Sequence, residues 1–264
     1  MQEYLSPNDP RFMGATDSES IQNAVNAAEK GPIRTVRIPR VCERTGATEW
    51  IIEKAILLPS DITIILDDCH LTLKKDIYEN IFRNKNLYTD IQNKPEGKQK
   101  GIRIIGMGDA ILDGGEGNDL RESTSMKDGR PSIRNNNFVL LHNVDDYVLE
   151  NFSFINLRWW AINQVCCTNG RLENLRFFNG DRLPVGIRVV KAVFYEIETA
   201  RYTVDEAMDI AYHRLREIME SELSESELIR KTVEYEITDS AYILYCRVEC
   251  IEDIAVMQEF ELAS

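Results

Sequence analysis

The segment ENFSFIN, Glu150 to Asn156, returns 23 residues later as ENLRFFN, Glu173 to Asn179, with Glu, Asn, an apolar residue, Phe and a closing Asn in step. A second echo sets DITIILDDCHLTL, from Asp61, against GIRIIGMGDAILD, from Gly101. It lays Ile62, Ile64, Ile65 and Leu71 on Ile102, Ile104, Ile105 and Ile111. Strand-like segments that recur at spacings above ~20 residues indicate a solenoid, because one coil cannot bury its apolar face without a neighbour stacked on it. The repetition stops near Pro184, and the residues beyond it follow a different pattern.

Charge marks the same boundary. Of the net −13, residues 1–184 hold −3 and residues 185–264 hold −10. An acidic C-terminal part lacks the Lys and Arg that phosphate neutralisation needs, which argues against a nucleic acid partner. The first residues, MQEYLSPNDPRF, contain neither a basic nor an apolar stretch of the secretory kind. No window approaches the ~18 apolar residues of a membrane span. A cytoplasmic location is the expectation. The six cysteines (Cys42, Cys69, Cys166, Cys167, Cys246, Cys250) show no paired CxxC spacing, and only His70, His142 and His213 could join them. Reduced, mostly buried thiols are therefore expected, with no metal and no cofactor.

Residues 14–30 read as a capped helix. Thr16, Asp17 or Ser18 can serve as N-cap, Ile21, Ala24, Val25 and Ala28 form the apolar stripe, and Gly31-Pro32 ends it. Strand pieces follow at 35–39, 50–59, 61–66 and 70–73, then at 102–105, 110–112, 138–141, 147–149, 152–155, 161–165 and 175–178. Residues 74–100 and 114–136 read as excursions from the coil. Asn stands where strands end, at Asn143, Asn151, Asn156, Asn163, Asn169, Asn174 and Asn179. Asn tolerates a left-handed backbone, so stacked copies suit successive corners. After Pro184 a β-rich run at 186–203 precedes an amphipathic helix at 204–223, with Thr203 and Glu206 as its capping box. Strands at 227–238 and 241–251, joined as a hairpin through Asp239-Ser240, complete a β-α-β-β order.

Residues 10–184 resemble the N-terminal portion of right-handed parallel β-helix proteins of the glycoside hydrolase family 28, polygalacturonase-like type. The likeness is carried by Gly14-Ala15-Thr16 with SIQNAVNAA, by GIRIIGMGDAILDGG at 101–115, and by the stretch from Asn143 to Pro184. It implies an all-β solenoid, here incomplete, with an N-terminal capping helix. It also implies hydrolysis by aspartates from an NxD motif and a following DD pair, then GHG and RxK elements. Asn179-Gly180-Asp181 is similar to NxD, but no DD, GHG or RxK follows it, and Asp67-Asp68 and Asp145-Asp146 come too early in the coil order. Residues 185–264 resemble the C-terminal domain of the YqfD family of sporulation proteins, through GIRVVKAVFYEIE, YTVDEAMDIAYHRLREIM and VECIEDIAVMQEFEL. That likeness implies a small α+β domain and carries no catalytic residue.

The expected architecture is a truncated β-helix over 1–184 joined to an α+β domain over 185–264. The last coil is expected to expose an open edge, with self-association through it and a loosely attached second domain. The expected function is non-catalytic carbohydrate binding or a truncated or chimeric product. The alternatives are a sporulation-related assembly protein, and an active glycoside hydrolase or pectate-lyase-like enzyme. The expected partner is an acidic polysaccharide or oligosaccharide. Its candidate contacts are Arg158, Trp159 and Trp160, an aromatic face beside a planar cation, with Asp181 and Arg182 at the rim. His70 and His142 are expected at strand ends as hydrogen-bonded residues rather than acid–base groups.

Overall fold

The computed structural model describes residues 3–87, 97–115, 137–157 and 161–178, then the backbone of 185–198, 230–237 and 241–253 and a few residues between 203 and 213. Its first region is a parallel β-solenoid with three sheets. The first sheet stacks β1 (Thr35–Pro39), β4 (Ile62–Asp67), β7 (Gln99–Met107), β10 (Val144–Glu150) and the start of β13 (Thr168–Phe177). The second stacks β2 (Glu49–Ile52), β5 (His70–Leu73), β8 (Ile111–Asp113), β11 (Ser153–Ile155) and the end of β13, which runs through the corner. The third stacks β3 (Ile56–Leu58), β6 (Phe82–Asn84), β9 (Val139–His142) and β12 (Ile162–Val165).

Alternation along each strand decides what fills the interior. In the first sheet one register column reads Val36, Ile64, Ile104, Leu149 and Leu172, all buried. In the second, Trp50, Leu71, Leu112 and Phe154 follow one another inside and Phe177 closes the row, stacked flat on Phe154 at 4.8 Å. Each such aliphatic side chain contributes about 1.5–3 kcal/mol when fully buried. Successive members of the first column lie 28, 40, 45 and 23 residues apart, so coils of unequal length keep one register.

The 23-residue echo is this register made visible: Glu150 pairs with Glu173 and Phe154 with Phe177. At the corner between them Asn174 Nδ2 donates to Asn151 Oδ1 at 3.0 Å, and both residues have positive φ. Asn143, Asn156 and Asn169 share that backbone state, whereas Asn163 lies within β12 and Asn179 lies outside the described residues. The second echo holds for Ile62, Ile64 and Ile65 but shifts at the corner. His70, not Leu71, pairs with Ile111, because three residues join β7 to β8 region by region where two join β4 to β5. Two further expectations are corrected. The run 50–59 breaks at the corner Glu53 to Ala55 into β2 and β3, strands of different sheets. The excursion 74–100 contains β6, a three-residue strand too short to show a period, and the start of β7.

The N-terminal end is closed by helix α1 (Asp17–Lys30), capped by Thr16, whose Oγ1 accepts from Glu19 N. Its stripe Ile21, Ala24, Val25 and Ala28 is fully buried on the first coil. Its polar residues satisfy the strand edge that stacking would otherwise leave open. Asp17 Oδ2 accepts from Ile51 N at 2.8 Å, Ser18 Oγ from Glu53 N at 2.8 Å, and Gln22 Oε1 from Leu57 N at 2.7 Å. Leu5 does the same for β1 through its main chain.

At the other end β14 (Val185–Glu198) runs antiparallel along β13, from Arg171 opposite Val193 to Phe177 opposite Ile187. The open edge expected there is thus occupied along β13. Next to β14 comes β16 (Ala241–Asp253), and next to that β15 (Arg230–Ile237), both pairs antiparallel. Glu206 and Thr203 form the expected capping box, and residues 205, 206, 208–210 and 213 are helical. The rest of the expected helix lies outside the described residues. Among the described residues, no helix is long and apolar enough to cross a membrane.

Candidate functional site

The five residues singled out from the sequence, Arg158, Trp159, Trp160, Asp181 and Arg182, lie outside the described residues. His142 ends β9, and its main chain is held on both sides by Asn84, which accepts from His142 N at 2.8 Å and donates to its carbonyl at 3.0 Å. His70 opens β5, as expected for a hydrogen-bonded strand-end residue, but it does not stand alone. Of the four cysteines whose side chains are described, Cys42, Cys69 and Cys167 are buried and Cys166 is exposed, and these four are free thiols. Burial pushes the Cys167 thiol up to about 11, which keeps it protonated and unreactive.

The second sheet turns one set of side chains inward and the other out to solvent. Its outer set reads Glu49 on β2, His70 and Thr72 on β5, and Asp113 on β8. His70 Nε2 stands 2.9 Å from Asp113 Oδ2. Against an ionised carboxylate that nitrogen is the donor. Asp113 Oδ1 accepts from Asn156 Nδ2 at 2.8 Å and from Gly115 N at 2.7 Å. Burial pushes the Asp113 carboxyl up, but His70, Asn156 and Gly115 donate enough hydrogen bonds to hold it below the ordinary carboxylate value. Across the row Thr72 Oγ1 donates a short bond to Glu49 Oε1. One ligand atom each from Glu49, His70 and Asp113 falls within 4.8 Å of the others.

Beside Glu49 the row opens into a groove of about 400 Å³ between the start of α1 and the second sheet, lined by Thr16, Arg44, Glu49, Ile51, Glu53 and Lys74. Two of its charge pairs are matched, Arg44 with Asp17 at 2.6 Å and Lys74 with Glu53 at 2.7 Å, while Glu49 accepts from the Thr72 hydroxyl. At the other end of the row stand Gly115 and Asn156, and the residues that follow them in sequence, 116–136 and 158–160, lie outside the described residues. The row thus offers a fixed set of donors and acceptors on a half-exposed surface, able to bind hydroxyl groups, to relay a proton, or to hold a cation.

Sequence reasoning missed this row. Glu49, His70 and Asp113 are 21 and 43 residues apart, and only the coil register aligns them. Had the second echo been set one residue over at the corner, it would have placed His70 beside Ile111 and pointed to Asp113, two residues further along β8.

The sequence matches no protein-family model, so the family 28 and YqfD resemblances find no support there, and it matches no curated protein. Among solved structures it is similar to PfbA, a surface adhesin of Streptococcus pneumoniae, at 20% identity and a TM-score of 0.45 over 66% of this chain. This chain spans 39% of that adhesin's length. It is also similar to a "putative glycosyl hydrolase" from Parabacteroides merdae ATCC 43184, at 16% identity and a TM-score of 0.46, covering 67% of this chain and 77% of that one.

Proposed function

We propose that this protein is a carbohydrate-binding β-solenoid without hydrolytic activity, and that its ligand lies along the outer face of the second sheet. The observation that carries this reading is the row Glu49, His70, Thr72, Asp113 and Asn156, a line of pre-oriented hydrogen-bonding groups beside an open groove. Rungs of a parallel sheet repeat at about 4.8 Å, so the row offers donors and acceptors at regular steps to a chain of hydroxyl-bearing rings. Two carboxylates in the row favour neutral sugars over uronates at this face. The acidic ligand expected from Arg158 and Arg182 rests on residues outside the described part. Asp113 is held ionised by three donors, which suits an acceptor of hydroxyl protons and not a general acid.

The C-terminal residues 185–264 are proposed to form an α+β body with its own core, joined to the solenoid where β14 pairs with β13. The test of the binding reading is a titration of the full chain with neutral and acidic oligosaccharides, followed calorimetrically, with a reducing-sugar assay alongside. Binding that is lost in Glu49→Gln and Asn156→Ala, with no release of reducing ends from polygalacturonate, supports it. Saturable binding untouched by both variants, or turnover abolished by Asp181→Asn, would overturn it.

A further inference from the structure

The cluster at the centre of the outer row has a second property that stands without the carbohydrate reading. We propose that Glu49, His70 and Asp113 form a binding site for a first-row divalent transition-metal ion, Zn²⁺ or Mn²⁺. The three residues come from three successive coils, β2, β5 and β8, so their backbones are fixed by parallel ladders and not by a loop.

Geometry makes the first argument. Metal–nitrogen and metal–oxygen bonds of about 2.1 Å place neighbouring ligand atoms about 3.0 Å apart at octahedral angles and about 3.4 Å at tetrahedral ones. His70 Nε2 and Asp113 Oδ2 stand 2.9 Å apart. An ion entering beside them replaces the proton they share without moving either side chain far. Glu49 offers a carboxylate oxygen within 4.8 Å of both and closes on the ion by side-chain rotation.

Outer contacts make the second. Each carboxylate has one oxygen held by a neighbour outside the cluster, and the other oxygen of Asp113 faces His70. Asp113 Oδ1 is held by Asn156 and Gly115, which leaves Oδ2, and Glu49 Oε1 is held by Thr72, which leaves Oε2. Ligating carboxylates are usually fixed by such hydrogen bonds. Burial distinguishes this cluster from acids scattered on a surface. The Asp113 side chain is 9% exposed and His70 32%, so a desolvated carboxylate faces an imidazole that is open to entry from solvent. Two carboxylates and a neutral imidazole balance a dication. The imidazole favours Zn²⁺ over Ca²⁺ or Mg²⁺, while the two carboxylates also suit Mn²⁺. The remaining coordination positions face solvent and take water.

Chelator-treated full-length protein titrated calorimetrically with ZnCl₂, and separately with CaCl₂, tests the site with the metal alone as probe. The expected result is one Zn²⁺ per chain at this site, with affinity reduced at least a hundredfold in His70→Ala and in Asp113→Asn, and unchanged in Cys166→Ser. Asn156→Ala, which only frees the ligating carboxylate, is expected to weaken binding about 10–100-fold. Melting of each metal-free variant within a few degrees of the wild type shows that the fold is kept. For a variant that does not fold, Mn²⁺ added to the wild type supplies the second readout, broadening the His70 imidazole resonances before those of His142 and His213. No binding, binding indifferent to His70→Ala, Ca²⁺ held as tightly as Zn²⁺, or Mn²⁺ broadening that spares His70 would each overturn the assignment. Failure here leaves the oligosaccharide titration untouched, and failure of that titration leaves the metal site standing.

Discussion

Gly170 and Tyr147 face each other across two coils, and their packing sets up a substitution whose cost follows from geometry. Tyr147 is fully buried and its register partner is Gly170. A Cβ on Gly170 would meet Tyr147 Cζ at 1.9 Å, Cε1 at 2.3 Å and Oη at 2.3 Å. Ordinary contact begins at 3.4 Å, so the ring would have to move by about 1.5 Å within an interior packed as densely as an organic crystal. The clash is with the rigid body of a ring held on every side, not with the free end of a flexible chain. Overpacking of this kind usually costs about 1–3 kcal/mol, and a displacement so large belongs at the top of that range or above it. Gly170→Ala also restricts the unfolded chain, which returns about 0.4–1 kcal/mol. The net expectation is a loss of roughly 2–3 kcal/mol, or on the order of 4–12 °C in Tm for a body of this size. The assay is urea unfolding of wild type, Gly170→Ala, Tyr147→Leu and the double variant. In the Tyr147→Leu background the alanine should cost little, because the obstructing ring is gone. An equal cost for Gly170→Ala in both backgrounds, or none in the wild type, would show that the ring is not what keeps this position a glycine.

Asn151→Ala forces an ordinary side chain into positive φ and breaks the corner bond from Asn174; a loss of about 1–2 kcal/mol is expected, with Asn151→Gly milder, read from urea midpoints. Burial pushes the Asp145 carboxyl up, but donation from Thr168 Oγ1 and Asn169 Nδ2 and the charge of Lys98 hold it below its ordinary value. A carboxyl depressed on folding adds stability above its unfolded value and loses it as pH falls through the folded one. The wild type should therefore weaken below about pH 4 more steeply than Asp145→Asn, measured as urea midpoints from pH 7 to pH 2. Residues 185–264 alone should give a dispersed amide spectrum, whereas 1–184 alone, with the β13 edge stripped of β14, should self-associate in sedimentation. A disordered C-terminal fragment would contradict the proposed division.

The stack was legible because a solenoid writes its contacts into the sequence at coil spacing. Glu150 over Glu173 and Ile64 over Ile104 are neighbours in space and also at matching positions in the echoes. The capping helix was legible from its own cap and stripe, since α1 meets one flat coil end with four small or branched residues. What escaped notice was governed by corners. Glu53 to Ala55 turns the chain between sheets without interrupting the apolar run, so β2 and β3 read as one strand. Phe82–Asn84 is only three residues long, and its identity as a strand comes from its neighbours β3 and β9 rather than from its own composition. The polar row was hidden for the same reason: Glu49, His70 and Asp113 carry no common motif, and the one-residue shift between Leu71 and Ile111 moved the alignment off the residues that meet.

That same shift has a wider consequence. The coil keeps its phase in the strands and lets its length vary between them, as the steps of 28, 40, 45 and 23 residues along one column show. Because the cost of closing a flexible loop rises by only about 0.6 kcal/mol for each doubling of its length, a turn can lengthen with little effect on the stack. A residue added inside a strand, by contrast, turns its whole interior set outward. Sequence novelty is thereby channelled to the seams between sheets. The seam where β8 and β11 end runs beside His70 and Asp113, so new segments inserted there arrive within reach of an already rigid set of polar groups, and recognition can be retuned while the scaffold stays the same.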